Sequence, residues 1–381
     1  MHVCYITNEY PPAVHGGIGS FVRTLGRALV KRGVTVSVIG IYDELSGVSE
    51  DEGVVVYRAR KPRLRGIRLL AGALNTRRML AAAARRAPID VLEGSEEGFL
   101  LTGRYPAARI MRLHGGYLYL ATELGLTPQF WPAFKEKQSL LCATHYCAVS
   151  SYIARRTRAL YKLDGQEIKV MPNPVDTALF SPQPGVEIEK GLIIFCGTLK
   201  PLKGVKELIR AMEYVTNTVA DARLELYGAD TCTESGRSYK ASLEASINPG
   251  IRDRIRFCGY VDHQRLPSIL ARAEVCVYPS LIEAHPLAWL EGLAMGKAVV
   301  ASRYGPGPEV IEHGVNGLLC DPRDPQSLAA AIIEVLSKPE LRLRLEREAR
   351  RSAVQRYSLD ALAEENLRYY QRCAEELRAG R

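Results

Sequence analysis

Short apolar, β-branched runs alternate with longer helical patterns along the whole chain. In the first half the runs are VCYI, VTVSVIG, GVVVYRA, IDVLEG, ARIMRLH, YCAVS and IKVMPN; in the second they are GLIIFCG, ARLELYG, RIRFCGY, EVCVYPS and KAVVAS. Runs this apolar, separated by stretches long enough for a helix, predict βαβ units whose parallel sheets are covered on both faces. Between the two series lies MPNPVDTALFSPQPGVEIEKG, residues 171–191, where four prolines interrupt any helix and the next strand opens at Leu192. The pattern therefore predicts an α/β chain of two doubly wound parallel-sheet domains: residues 1–175, a linker over 176–191, and a second domain over 192–356. After Pro325 no strand signal remains, and the charge-laced sequence to the end predicts C-terminal helices.

A chain of 381 residues that is 47% hydrophobic can fill two cores of ordinary size. No run approaches the ~18 to 20 apolar residues of a membrane span. The opening MHVCYIT also lacks the charged start and cleavage pattern of a signal peptide. The expected location is the cytoplasm. Nine cysteines is an odd number, and Cys4, Cys196, Cys258 and Cys276 lie within apolar runs, as reduced core residues do. Cys142, His145 and Cys147 form one compact cluster without the second ligand pair of a zinc site.

The net charge of +9 resides in the first half: residues 1–180 hold 24 Lys and Arg against 15 Asp and Glu, and the remainder holds 27 against 27. Residues 58–86 contain ten of these cations and no acid, and from Ile67 onward apolar and basic positions mix at helical spacing. Such a stretch is a candidate peripheral contact with the inner face of a membrane. Its commoner role is a solvated arginine face whose apolar side packs on a sheet.

The chemistry concentrates in SLIEAHPLAWLEGLAMGKAVVAS, residues 280–302. A strand ends near Tyr278, a loop follows, and Pro286 suits the first turn of a helix because it has no amide hydrogen to leave unbonded. The amides of Leu287 and Ala288, with the positive end of the helix dipole, suit a diphosphate. Glu283 precedes that helix and Glu291 lies more than one turn inside it. A carboxylate repels phosphate but accepts hydrogen bonds from both hydroxyls of a vicinal diol. A ligand with a diphosphate in the middle and a polyol at each end is a nucleotide sugar, with Glu291 at the ribose and Glu283 at the transferred sugar.

These residues, with NEYPPAVHGGIGSFVRTLGRALVKRG, MPNPVDTALF, GTLKPLKGVKELIRA and EAHPLAWLEGLAMGKAVVASRYGPGPEVIEHGVNGLL, make the chain resemble the retaining glycosyltransferases of family 4. The resemblance implies the GT-B fold: an N-terminal acceptor-side Rossmann-like domain and a C-terminal nucleotide-sugar-binding one facing a central cleft, with residues 357–381 packing back on the N-terminal domain. It implies a sugar moved from a nucleotide diphosphate to an acceptor hydroxyl with retention, as in polysaccharide or glycoconjugate synthesis. The acceptor would be a carbohydrate, a lipid-linked sugar or a small molecule, and no nucleic acid is expected. Carried over residue by residue, Glu291 matches the ribose-binding glutamate, Glu283 the glutamate facing the donor sugar, and Lys203 the lysine on the diphosphate. His114 matches the histidine that approaches the sugar. Gly16 and Gly17 match the glycine pair that lets backbone approach the ligands. The base would lie near Gly228, Tyr260 and Val261.

Two positions depart from the family pattern. Thr198 stands where an arginine usually completes the clamp on the diphosphate, and Lys200 is the candidate substitute. Ala284 and His285 stand where glycine and phenylalanine are common, which makes His285 a candidate contact to the sugar hydroxyls. No Asp-x-Asp occurs, so no cofactor and no essential metal are expected; Lys203 and the helix N-terminus would meet the leaving charge. HGGIGSFV does not fit a dinucleotide fingerprint, because its third glycine position falls on Val22. Alone, Glu291 would read as a solvated acid, His114 as a core histidine and Lys203 as an exposed charge; their joint order favours the site. The rivals are a nucleotide-sugar epimerase of the same fold, which needs no acceptor, and a catalytically silent sugar-nucleotide-binding protein, motivated by Thr198.

Overall fold

In the computed structural model, which describes residues 1–13, 16–62, 68–233 and 236–380, every predicted apolar run becomes a strand. The first unit, Met1–Pro174 with the C-terminal segment from Leu359, holds seven of these and one more, eight strands in all. These are β1 (His2–Ile6), β2 (Thr35–Tyr42), β3 (Gly47–Asp51), β4 (Val54–Arg60), β5 (Val91–Gly94), β6 (Ala108–Leu113), β7 (His145–Ala148) and β8 (Ile168–Val170). Their order is β3-β4-β2-β1-β5-β6-β7-β8, and every neighbouring pair is parallel except β3 with β4. The apolar pattern does not predict β3, an exposed antiparallel edge whose sequence GVSED buries nothing.

The connecting helices are α1 (Gly17–Val30), α2 (Arg68–Ala84), α3 (Tyr117–Glu123), α4 (Phe130–Leu140) and α5 (Ser151–Tyr161). In α1 the buried positions Phe21, Val22, Leu25 and Leu29 form one stripe, as a helix laid on a sheet requires. The basic stretch 58–86 divides in the structure. Residues 58–60 finish β4, Arg63, Leu64, Arg65, Gly66 and Ile67 lie outside the described residues, Arg68–Ala84 form α2, and Arg85 and Arg86 follow it in a turn. Helix α2 buries Gly72, Thr76, Met79, Leu80 and Ala83, and leaves Leu69, Leu70 and Leu74 exposed beside Arg68, Arg77 and Arg78. Among the described residues no helix is long and apolar enough to cross a membrane.

The second unit, Val175–Ser358, has the parallel sheet β11-β10-β9-β12-β13-β14. Its strands are β9 (Leu192–Cys196), β10 (Arg223–Tyr227), β11 (Ile255–Gly259), β12 (Val275–Tyr278), β13 (Val299–Ser302) and β14 (Leu318–Cys320), the last too short to have been predicted. Its helices are α6 (Val205–Thr218), α7 (Tyr239–Ser246), α8 (Leu266–Arg272), α9 (Leu287–Ala294), α10 (Gly307–Val310), α11 (Pro325–Ser337) and α12 (Pro339–Tyr357). In each sheet the strand order reverses next to one strand, β1 in the first and β9 in the second. Ligands of doubly wound sheets bind at the carboxyl ends beside such a reversal.

Residues 176–191, expected as a linker, lie within this second unit. Val175 and Phe180 are part of its core, and Glu189 pairs with Arg223 and Arg272. The chain changes unit after Pro174 and again after Ser358, and on the second unit these points are neighbours: the Val175 amide donates to the Tyr357 carbonyl at 2.8 Å. The last helix, α13 (Leu359–Ala379), returns to the first unit. It is anchored by the fully buried Arg112, which donates to Glu93 Oε1 at 2.8 Å and to Asn366 Oδ1 of α13 at 2.6 Å. Tyr370 of α13 donates to Glu93 Oε2 at 2.7 Å, and its hydroxyl lies 3.1 Å from that of Tyr5. Every charged atom of this core network has a partner from a different element.

Candidate active site

The second unit builds its site around a glycine. Gly204 follows Lys203 in the left-handed region at φ 68°, and a Cβ there would sit 1.9 Å from the Pro279 carbonyl oxygen, so only glycine lets the two loops touch. The Leu281 amide then donates to the Leu202 carbonyl at 2.8 Å, fastening the loop after β12 to the PLKG turn. This contact brings Lys203 Nζ onto Glu283 Oε1 in a half-buried ion pair across 80 residues of sequence. The cation expected on the diphosphate and the acid expected on the sugar are thus already partners.

Pro286 is the N-cap of α9, one position earlier than the first-turn place expected for it, and Leu287 and Ala288 form that first turn, half-exposed. Their amides have no intrahelical acceptor by construction. Glu291 is buried one turn further on, and His263 Nε2 reaches its Oε1 at 2.7 Å. Phe180 packs edge-on against the His263 ring, with centroids 5.0 Å apart. At the neighbouring strand ends Gly228 donates to the Gly259 carbonyl at 2.8 Å, and a Cβ on Gly228 would lie 1.8 Å from the Gly197 carbonyl oxygen. Tyr260 is 68% exposed and Val261 half-buried, so a flat ring could lie on them. Thr198 is half-buried, and Lys200 is exposed as the N-cap of the turn that carries Lys203. His285 is buried, its ring centroid 5.5 Å from that of Tyr357. Burial, and then Arg356, hold its imidazole neutral with a pKa of about 3.

In the first unit His114 follows β6 and packs edge-on against Phe21 of α1, with centroids 5.5 Å apart. Gly16 caps α1, its amide donating to Glu9 Oε2 at 3.0 Å. A Cβ on Gly17 would meet nothing within 4 Å, so no packing inside the chain demands glycine there. Two buried acids that sequence reasoning missed lie beneath His114. Glu96 takes the amides of His114 and Gly115 at 2.7 and 2.8 Å, and Glu136 those of Tyr117 and Leu118 at 2.8 and 2.9 Å. Burial, with repulsion from Glu136, pushes Glu96 up to about 8. His263 was missed as well; its only signal is a place two residues after the predicted base contact Val261. Cys142, His145 and Cys147 do not gather: His145 reaches Glu376 and Thr144 through its two ring nitrogens.

A family model described as "Glycosyl transferases group 1" matches residues 177–352, which include Lys203, Glu283 and Glu291. Another, "Glycosyltransferase Family 4", matches residues 15–179, which include Gly16, Gly17 and His114. The chain belongs to glycosyltransferase family 4. An uncharacterised glycosyltransferase of Methanocaldococcus jannaschii is 25% identical over 97% of this chain and 98% of its own. The sucrose-phosphate synthase of Thermosynechococcus elongatus has the same fold, with a TM-score of 0.82 at 21% identity and 98% of each chain covered. HepE of Anabaena, solved in complex with UDP and glucose, superposes with a TM-score of 0.75 at 16% identity over 97% of this chain and 99% of its own. The family 4 chain described here is therefore a glycosyltransferase of GT-B architecture.

Proposed function

We propose that this glycosyltransferase is retaining and takes its sugar from a nucleotide diphosphate held by the second unit. The observation that carries the reading is the joining of Lys203, Glu283 and the first turn of α9 by the Gly204–Pro279 contact. Lys203 and the α9 amides meet the charge that develops on the departing diphosphate. The bond from the anomeric carbon to the phosphate oxygen breaks while a bond to the acceptor oxygen forms on the same face, and the departing phosphate oxygen takes the acceptor's proton. No protein nucleophile is needed. Glu283 and His114 orient the sugar, Glu291 holds the ribose, and Tyr260, Val261 and Gly228 receive the base. The open space beside Gly17 is where backbone can approach the ligand closely. His285, buried and neutral, serves the packing of α12 more directly than the sugar hydroxyls. With Lys203 and the helix N-terminus on the diphosphate, turnover requires no divalent metal.

A nucleotide that binds only the native state raises its melting temperature. Of UDP, GDP and ADP, at least one should raise it, and the matching monophosphate should raise it less because it lacks the β-phosphate for Lys203. Equal shifts with mono- and diphosphate would count against the site.

The exposed leucines of α2, set among arginines, favour a lipid-linked acceptor reached at an anionic membrane surface. Each surface cation contributes ~1 kcal/mol there, screened by salt. Anionic vesicles should sediment the protein at low salt and release it at high salt, and Arg68→Gln with Arg77→Gln and Arg78→Gln should weaken this. Protein that stays in the supernatant at low salt points to a soluble acceptor.

A further inference from the structure

We propose that Glu96 and Glu136 are a positioning pair that clamps the turn from His114 to Leu118 through four main-chain amides and thereby aims the His114 imidazole. The two acids come from different elements, Glu96 from the segment after β5 and Glu136 from α4, and both are at least 97% buried. The turn between them is fitted without slack. Gly115 is in the left-handed region at φ 84°, and a Cβ on Gly116 would stand 1.6 Å from Glu136 Oε1 and 2.9 Å from Glu96 Cβ. Tyr161 of α5 donates to the second oxygen of Glu136, which fixes that carboxylate in turn.

A single cap would satisfy a helix of seven residues such as α3. Two acidic side chains kept in the interior cost more than a cap, and each is held by two main-chain amides, Glu136 by Tyr161 as well, so the turn has one geometry. The gain is a turn whose every bonded amide points inward. It therefore offers a ligand the His114 side chain and not its backbone. Fixing an orienting group to a fraction of an ångström is where such rigidity matters, because a displacement of ~1 Å can cost about 100-fold in rate.

The inference rests on the reading that His114 acts on the donor sugar, and the experiment separates the two. Amide hydrogen exchange on the native chain should find residues 114, 115, 117 and 118 protected, and Glu96→Ala and Glu136→Ala should release them. Kinetics would use whichever of UDP-glucose, GDP-mannose and ADP-glucose the native chain hydrolyses fastest. Glu96→Ala should lower kcat by the factor that His114→Ala does, about 10- to 100-fold, with KM for the donor little changed. Glu96→Gln keeps the Oε1 that accepts both amides and should restore kcat. In the His114→Ala background, Glu96→Ala should cost nothing more. Should the alanine variants fail to fold, Glu96→Asp, which withdraws the carboxylate by one methylene, takes their place. Fast exchange at the four amides in the native chain would overturn the clamp, as would a further loss of kcat when Glu96→Ala is added to His114→Ala. Native kcat in His114→Ala would refute the catalytic reading and, with it, the purpose assigned to the pair, even where exchange finds the clamp present.

Discussion

Replacing Lys203 by alanine lowers the affinity for a nucleoside diphosphate by about 10- to 150-fold, and replacing Glu283 by glutamine raises it. The first figure is the ~1.5 to 3 kcal/mol of a hydrogen bond to a charged group, at tenfold per ~1.4 kcal/mol. The second direction follows from the ion pair between the two side chains. A diphosphate must take Lys203 from Glu283 and must settle close to that carboxylate, so the neutral amide frees the cation and removes the repulsion. Turnover moves the other way, because Glu283→Gln removes a charge that holds the sugar as its own positive charge develops; a loss of about 100- to 1000-fold is expected. Tighter binding with slower chemistry is a combination that damage to the fold would not produce. Calorimetric titration with UDP, GDP and ADP reads the affinities. Equal affinities in native, Lys203→Ala and Glu283→Gln proteins would remove Lys203 from the donor site.

Arg112→Met should destabilise the first unit by about 3 to 5 kcal/mol, because it leaves Glu93 charged and buried without its partner. For a unit of this size that is a fall in melting temperature of roughly 6 to 20 °C. The same change removes the Arg112 bond to Asn366, so α13 should become a site of early proteolysis. Adding Glu93→Met should recover most of the loss, since an apolar pair of similar volume does not bear the desolvation of an ion pair. Urea unfolding checks both steps. A loss under 1 kcal/mol in the single variant would mean that water reaches Glu93 and that the network does not anchor the helix.

The parallel sheets were legible because their strands are buried on both faces and carry unbroken apolar runs. Strand β3 was not, since an exposed edge such as GVSED has no apolar pattern to find. The prolines between residues 171 and 191 mark the end of the first sheet correctly, but they do not make a linker. Phe180 is an anchor of the second core, and a single aromatic in a proline-rich stretch does not announce where it packs. The candidate site residues Lys203, Glu283, Glu291 and His114 come from the family resemblance. Their partners were not legible. The Lys203–Glu283 pair depends on Gly204 touching Pro279, and the His263–Glu291 contact joins α9 to the loop after β11. Glu96 and Glu136 are acidic residues in the interior, a type that sequence alone assigns to the surface.

The central claim is transfer of a sugar from a nucleotide diphosphate with its configuration kept, and water can serve as the acceptor in testing it. Proton NMR would follow the anomeric signals of UDP-glucose, GDP-mannose and ADP-glucose incubated with the protein, before free sugar mutarotates. The account predicts that one donor is consumed, that the first free sugar to form has the donor's own α configuration, and that both are lost in Lys203→Ala. Sugar released first as the β anomer, an epimerised donor with no free sugar, or donors bound and left intact would each contradict it.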